Sequence, residues 1–116
     1  MNIEQYREFC IGMEGATEEF PFDNETLVYK VYGKIFSLSG VENFASINLK
    51  CDPEYAVELR EKYDSIKPGY HMNKKHWNTL AMDGSFPDKL IKDLILHSYE
   101  LVLKGIPGLK RVPASK

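Results

Sequence analysis

TLVYKVYGKIFSLSGVENFASINLK, residues 26–50, carries the pattern that decides the fold. From Thr26 the period is two. Leu27, Tyr29 and Val31 point one way and Val28, Lys30 and Tyr32 the other, as on a β-strand. Gly33 breaks the run, and Lys34 to Ser39 forms a second strand with Phe36 and Leu38 on one side, so the two read as a hairpin. After a turn at Gly40 to Asn43, a third strand sets Ala45, Ile47 and Leu49 against Ser46, Asn48 and Lys50. Three consecutive strands make an antiparallel meander with one face polar enough to meet water.

Outward from this meander the period changes. Asp52 and Pro53 start a helix, because the carboxylate can accept the orphan amide protons and proline fits the first turn. Ala56, Leu59 and Tyr63 form its apolar stripe. Ser65 to Lys67 reads as a brief strand, and His76 to Met82 as a longer one with Trp77, Thr79 and Ala81 opposite Asn78, Leu80 and Met82. Leu90, Ile91, Leu94, Ile95, Ser98, Leu101 and Val102 repeat with helical spacing until Gly105 and Pro107 stop them. On the other side, Ile3, Tyr6, Cys10 and Met13 predict an amphipathic helix, capped by Asn2 with Gln5 as the reciprocal partner and ended by Gly12 and Gly15. Thr17 to Asn24 reads as a loop, with Pro21 between Phe20 and Phe22. The order α-β-β-β-α-β-β-α describes a two-layer α+β sandwich, an antiparallel sheet covered by N- and C-terminal helices. One domain is expected over residues 1–105, and the tail 106–116, with two prolines and three bases, is expected to fray.

Of 116 residues, 43% are hydrophobic and 12% aromatic, which excludes disorder as the main state. No run approaches the roughly 18 apolar residues of a membrane span, and no basic-then-apolar segment opens the chain, so a cytoplasmic protein is expected. Cys10 and Cys51 stand without a CxxC or a neighbouring His, so the sequence writes no zinc or redox motif. Net charge is −2, which forbids any argument from overall basicity. The distribution is uneven, however. Residues 1–25 hold seven acids and one base, whereas residues 67–80 hold Lys67, Lys74 and Lys75 with no acid. Such asymmetry points to an anionic partner at the second segment.

That segment, KPGYHMNKKHWNTL, packs three lysines, two histidines, two asparagines, one Tyr and one Trp into residues 67–80. Lysine and asparagine can hold phosphate oxygens, Tyr70 and Trp77 can stack on bases, and Pro68 with Gly69 can aim the loop. The competing reading makes the aromatics core residues, the histidines satisfied by neighbours, and the lysines a solvated rim. With PFDNETLVYKV (21–31), NLKCDPE (48–54), PGYHMNKKHWNTL (68–80), DG (83–84) and HSYELV (97–102), the chain resembles the MmcQ/YjbR family over nearly its whole length. The resemblance implies a CyaY-like, frataxin-type fold and a bacterial DNA-binding protein with a proposed double-wing arrangement. From the small number of lysines and the lack of catalytic, metal and membrane-span motifs, the binding is expected to be weak, salt-sensitive and non-enzymatic, by a monomer, without cofactor, metal or membrane. The DNA-binding role passes to Lys67 beside the motif and to His71, Asn73, Lys74, Lys75, His76, Trp77 and Asn78 within it. Lys30 and Lys34, flanking the first hairpin turn, are the second wing.

Two alternatives come from other classes. A pocket around Tyr70, His76 and Trp77 could bind a small anion or metabolite and in principle do acid and base work. However, a spacing of five puts His71 and His76 on opposite faces of a strand, and no HExxH, GxSxG or Gly-rich phosphate loop is present, so no catalytic residue is named. The acidic start, Glu4, Glu8, Glu14, Glu18 and Glu19, could bind metal as frataxin-like proteins do. Against this, Glu4 and Glu8 are a like-charge i,i+4 pair of the kind that keeps a helix soluble. His97 borders the last helical stripe as a packed residue, and Met13, Met72 and Met82 fill core gaps. Cys10 is a small buried hydrophobe. Cys51, just before a helix cap, is expected to have a somewhat lowered pKa.

Overall fold

In a computed structural model that describes residues 1–41, 43–69 and 72–108, the first helix starts as its capping residues dictate. Asn2 Oδ1 accepts from the Gln5 amide at 2.8 Å, while Gln5 Oε1 accepts from the Asn2 amide at 3.0 Å. This reciprocal box opens α1, Ile3–Ile11, which buries Tyr6 and Cys10 and ends on Gly12. Asp52 caps α2, Pro53–Lys62, by accepting from the Tyr55 amide, with Pro53 in its first turn. The longest helix, α3, runs Asp88–Lys104 and stops at Gly105.

The strands are β1 (Ala16–Glu19), β2 (Thr26–Val31), β3 (Lys34–Gly40), β4 (Ser46–Lys50), β5 (Ile66–Pro68) and β6 (Trp77–Ala81). They form one antiparallel sheet in the order β1-β2-β3-β4-β6-β5. The hairpin between β2 and β3 turns at Tyr32 (φ 48°) and Gly33 (φ 86°), the two positive-φ positions of a tight two-residue turn. Leu27, Tyr29 and Val31 of β2, Ile47 and Leu49 of β4, and Leu80 of β6 share one core with Tyr6, Cys10, Ala56, Leu59, Ile91, Leu94 and Ile95. All three helices therefore cover the same face. The other face carries, in a row across six strands, Glu19, Val28, Leu38, Asn48, Thr79 and Lys67, with Val28 fully buried and Asn48 nearly so.

The α+β class and the predicted elements hold, with two local differences. Residues 16–19 are not loop: they pair with β2 as a short edge strand, Ala16 opposite Val31 and Glu19 opposite Val28. Nothing in Ala-Thr-Glu-Glu alternates, so its strand conformation comes from pairing with β2, anchored by Tyr29 Oη donating to Glu18 at 2.6 Å. The second difference is in β3. Its register with β2 passes from Tyr29↔Ser37 to Lys30↔Ile35, which leaves Phe36 as an extra residue, a β-bulge. Phe36 and Ser37 consequently share the core face, and Leu38 turns to the other face opposite Val28, so Phe36 and Leu38 do not lie together.

The bulge interrupts the ladder between β3 and β4, whose described pairs run only from Ser39↔Ile47 to Ser37↔Leu49. Ser98 of α3 fills the gap. Its hydroxyl donates to the Phe36 carbonyl at 2.6 Å and accepts from the Lys50 amide at 2.9 Å. A fully buried serine in the apolar stripe of a helix is thereby accounted for. Tyr6 Oη and Ser37 Oγ, 2.6 Å apart, satisfy each other in the same layer, and Tyr99 Oη donates to the Glu14 carbonyl at 2.6 Å. Of the tail expected to fray, the structure describes residues only to Gly108, and Ile106 packs against the core.

Replacing Ser98 by Ala strands the Phe36 carbonyl and the Lys50 amide where water does not reach. A loss of about 1–3 kcal/mol is expected, read as a lower urea midpoint at unchanged slope. An unaltered midpoint would show that the bulge needs no bridge.

Candidate nucleic-acid interface

The topology draws cationic residues to one end of the sheet. Lys34 begins β3, Lys50 ends β4 beside Trp77 at the start of β6, and Lys67 lies on β5 next to the segment that leads to Lys74 and Lys75. Lys34, Lys67, Lys74 and Lys75 are exposed and Lys50 is half-buried. Among the described residues none of these five lysines is ion-paired, whereas Lys30 lies 3.1 Å from Glu19. Of the two expected wing residues, Lys34 thus presents an unengaged ammonium group and Lys30 a neutralised one.

The segment before β6 is held by backbone chemistry and by one side chain from α2. Asn73 Oδ1 accepts from the Lys75 amide at 2.9 Å, and the Asn73 carbonyl accepts from the amides of His76 and Trp77. The side chain of Asn73 thus shapes the turn. Arg60 straps it down: Nε donates to Asn78 Oδ1 at 2.7 Å, and Nη2 donates to the carbonyls of Trp77 and Lys74. Gly69 lies against the far side of β6, its amide donating to the Trp77 carbonyl at 2.7 Å. A Cβ there would stand 2.6 Å from that of Trp77, so only glycine allows the approach.

Trp77 is 9% exposed and Asn78 1%, so both are packed residues and offer little surface to a partner. Asn78 faces the core, where its Oδ1 is held by Arg60 and its Nδ2 has no hydrogen-bond partner among the described residues. His76 is half-buried, and its carbonyl accepts from the Cys51 amide at 2.7 Å. His71 and Tyr70 lie outside the described residues. The sequence reading missed Arg60, which stands among the charges of α2 as though solvated, and Lys50, whose place at the end of an alternating strand was the available clue.

Acidic charge lies at the opposite rim. Glu18, on edge strand β1, accepts from Arg7 Nε at 2.9 Å and Nη2 at 3.0 Å, and these bonds hold its carboxyl below the ordinary range. Glu19 is likewise lowered, chiefly by Lys30. Two of the five carboxylates considered for metal binding, Glu18 and Glu19, are thus already engaged, and among the described residues no three His, Cys, Asp or Glu side chains converge. Five strand spacings, about 24 Å, separate β1 from β5. That is about three Debye lengths at physiological salt, so the acidic rim scarcely opposes an anion at Lys67, whereas Lys34 on β3 stands only two strand spacings, about 10 Å, from β1. Cys51 departs from expectation: burial pushes its thiol up to about 11, with the Asp52 carboxylate adding to the effect, and this outweighs the helix start beside it. Burial also raises Cys10, and neither thiol is a ready nucleophile.

An open antiparallel sheet with helices on one face is also the architecture of solved relatives. The crystal structure of Deinococcus radiodurans protein DR2400, with a DUF419 domain, matches with a TM-score of 0.85 and 40% identity over 95% of this chain and 83% of that one. A crystal structure of a protein from Pseudomonas syringae matches with a TM-score of 0.73 and 28% identity, covering 87% and 98% of the two chains. The chain belongs to the YjbR family, whose model matches residues 11–101. It is 34% identical to YjbR of Escherichia coli strain K12 over 96% of this chain and 95% of that protein. With YbdF of Escherichia coli O157:H7 it shares 44% identity over 75% and 72% of the two.

Two measurements follow from this local chemistry. Arg60→Met keeps the stem of the side chain but removes three hydrogen bonds. Amide exchange should accelerate at residues 74–77, with a stability loss of about 1.5–3 kcal/mol; unchanged protection there would exclude Arg60 as the strap. His97 Nε2 accepts from the Asp52 amide at 3.2 Å, and its ring stands edge-on to Tyr55. Burial lowers its pKa from the usual 6.5, opposed by the Asp52 carboxylate and assisted by Lys104. A depressed folded-state value favours the neutral ring. Its stabilisation is therefore complete above about pH 6.5 and is lost as pH falls through the folded value. Urea midpoints at about pH 7.5 and 5.5 should differ less in His97→Gln than in the unmodified chain; an equal difference would remove His97 from the pH dependence.

Proposed function

We propose that this chain binds duplex DNA weakly through its phosphate backbone, acting as a monomer in the bacterial cytoplasm and by binding rather than catalysis. The observation that carries this reading is the gathering of Lys34, Lys50, Lys67, Lys74 and Lys75 at one end of the sheet, none of them ion-paired among the described residues. One wing is the β2–β3 hairpin bearing Lys34, and the other is the segment from Lys67 through His71 to His76. Asn73 and Trp77 set the shape of this second wing. Phosphate contacts of this kind position a protein on DNA without reading sequence. Among the described residues no helix is long and apolar enough to cross a membrane.

The footprint is small. About four neutralised phosphates give log K a slope of about −3.6 against log salt, or roughly a hundredfold loss between about 50 and 200 mM. Fluorescence anisotropy with a labelled duplex should show this slope, and Lys74→Ala with Lys75→Ala should flatten it by about 1.8 while lowering low-salt affinity. Retention of full affinity and slope in that variant would rule the reading out.

A further inference from the structure

Where the bulge at Phe36 parts β3 from β4, a cleft of about 340 Å³ opens beside the end of α3. Lys34 and Ile35 line it from β3, Lys50 from β4, and Val102 from α3, with Met72 and Trp77 also on its wall. We propose that this cleft binds a phosphate monoester carried on a flat apolar body, the chemistry of a mononucleotide. This goes beyond the duplex reading and does not depend on it.

Charge is the first argument. Among the described residues no acidic side chain lines this cleft, whereas three other open hollows of comparable or larger size include Glu4, Glu8 and Glu18, or Glu8 and Asp88, or Glu54. Lys34 and Lys50 are without an ion-pair partner among the described residues. A phosphate monoester carries about −1.5 to −2 at neutral pH, which matches two ammonium groups, while a single carboxylate matches one. The negative end of α3 is nearby and opposes an anion there, in part offset because the Gly105 amide donates to the carbonyls of Leu101 and Val102 and the Ile106 amide to that of Leu103.

Shape and lining are the second argument. Ligand sites combine apolar walls with a few convergent polar groups and run from about 300 to 1,000 Å³, and this cleft lies at the lower end of that range, as suits a small ligand. Trp77, Met72, Ile35 and Val102 supply an aromatic and aliphatic surface of the kind on which a base can lie. The same chemistry is offered by a free nucleoside monophosphate and by the 5′-phosphorylated end of a strand.

Trp77 is the only tryptophan of the chain and lies in the cleft, so its emission is a direct reporter. Titration with AMP should give a saturable change, and adenosine or inorganic phosphate alone should bind at least about tenfold more weakly. Lys34→Gln with Lys50→Gln, which keeps the aliphatic stems, should weaken AMP by about tenfold or more, and Lys74→Ala with Lys75→Ala should leave it unchanged. A short single strand bearing a 5′-phosphate should compete with AMP more strongly than its 5′-hydroxyl twin if the site takes strand ends, and equally if it takes free nucleotides. Amide shifts in the unmodified protein should centre on Lys34, Lys50, Trp77 and Val102. Absence of a saturable response to both AMP and the phosphorylated strand at millimolar concentration overturns the proposal, as does undiminished AMP binding in the double Gln variant. Duplex binding measured in parallel separates the outcomes, because its loss with AMP binding intact removes only the duplex reading.

Discussion

A single hydroxyl group holds the two layers in register. Ser98 Oγ stands between the Phe36 carbonyl and the Lys50 amide, taking over a bond that two adjacent strands would otherwise make with each other. Because the bridge comes from α3, helix and sheet are joined by directional bonds as well as by apolar burial. A hydrogen bond contributes modestly when made, but a buried group left without one costs more, so geometry at this point is tightly specified. Phe36 can turn inward beside Ser37 only because the extra residue of the bulge is accommodated there.

The bulge also explains the arrangement at the basic end. By spreading β3 and β4 it makes room beside Lys34 and Lys50, and by ending their ladder early it exposes the last turn of α3 to the same hollow. Arg60 does the corresponding work on the other side, holding the turn before β6 through backbone carbonyls and leaving Lys74 and Lys75 outside. Structural cations and available cations are thus distinct: Arg60 faces inward to carbonyl oxygens, Lys30 is matched by Glu19, and Lys34, Lys67, Lys74 and Lys75 meet solvent.

Elements whose signals are local were legible in the sequence. The reciprocal pair Asn2 and Gln5, the Asp52–Pro53 start, the hairpin at Gly33 and the stop at Gly105 all rest on chemistry within a few residues. The inward and outward faces of β2, β4 and β6 followed from alternation. The bulge was not legible, because Phe36-Ser37-Leu38 alternates normally and the extra residue shows only when it is counted against the partner strand. Nor was β1, whose four residues have no apolar period of their own. At the candidate interface the composition of residues 67–80 marked the right region. It could not separate the exposed lysines from the buried Trp77 and Asn78, since burial is set by β4 and α2 and not by the segment itself.

The two outermost strands have one more consequence. An open sheet presents unpaired amides and carbonyls at both rims, an invitation to further strands. Here one rim is four residues long and carries Glu18 and Glu19, and the other is three residues long and carries Lys67 and a proline that has no proton to donate. Brevity and charge thus discourage growth of the sheet by templating, and the rims can remain unpaired without becoming the seed of a fibre.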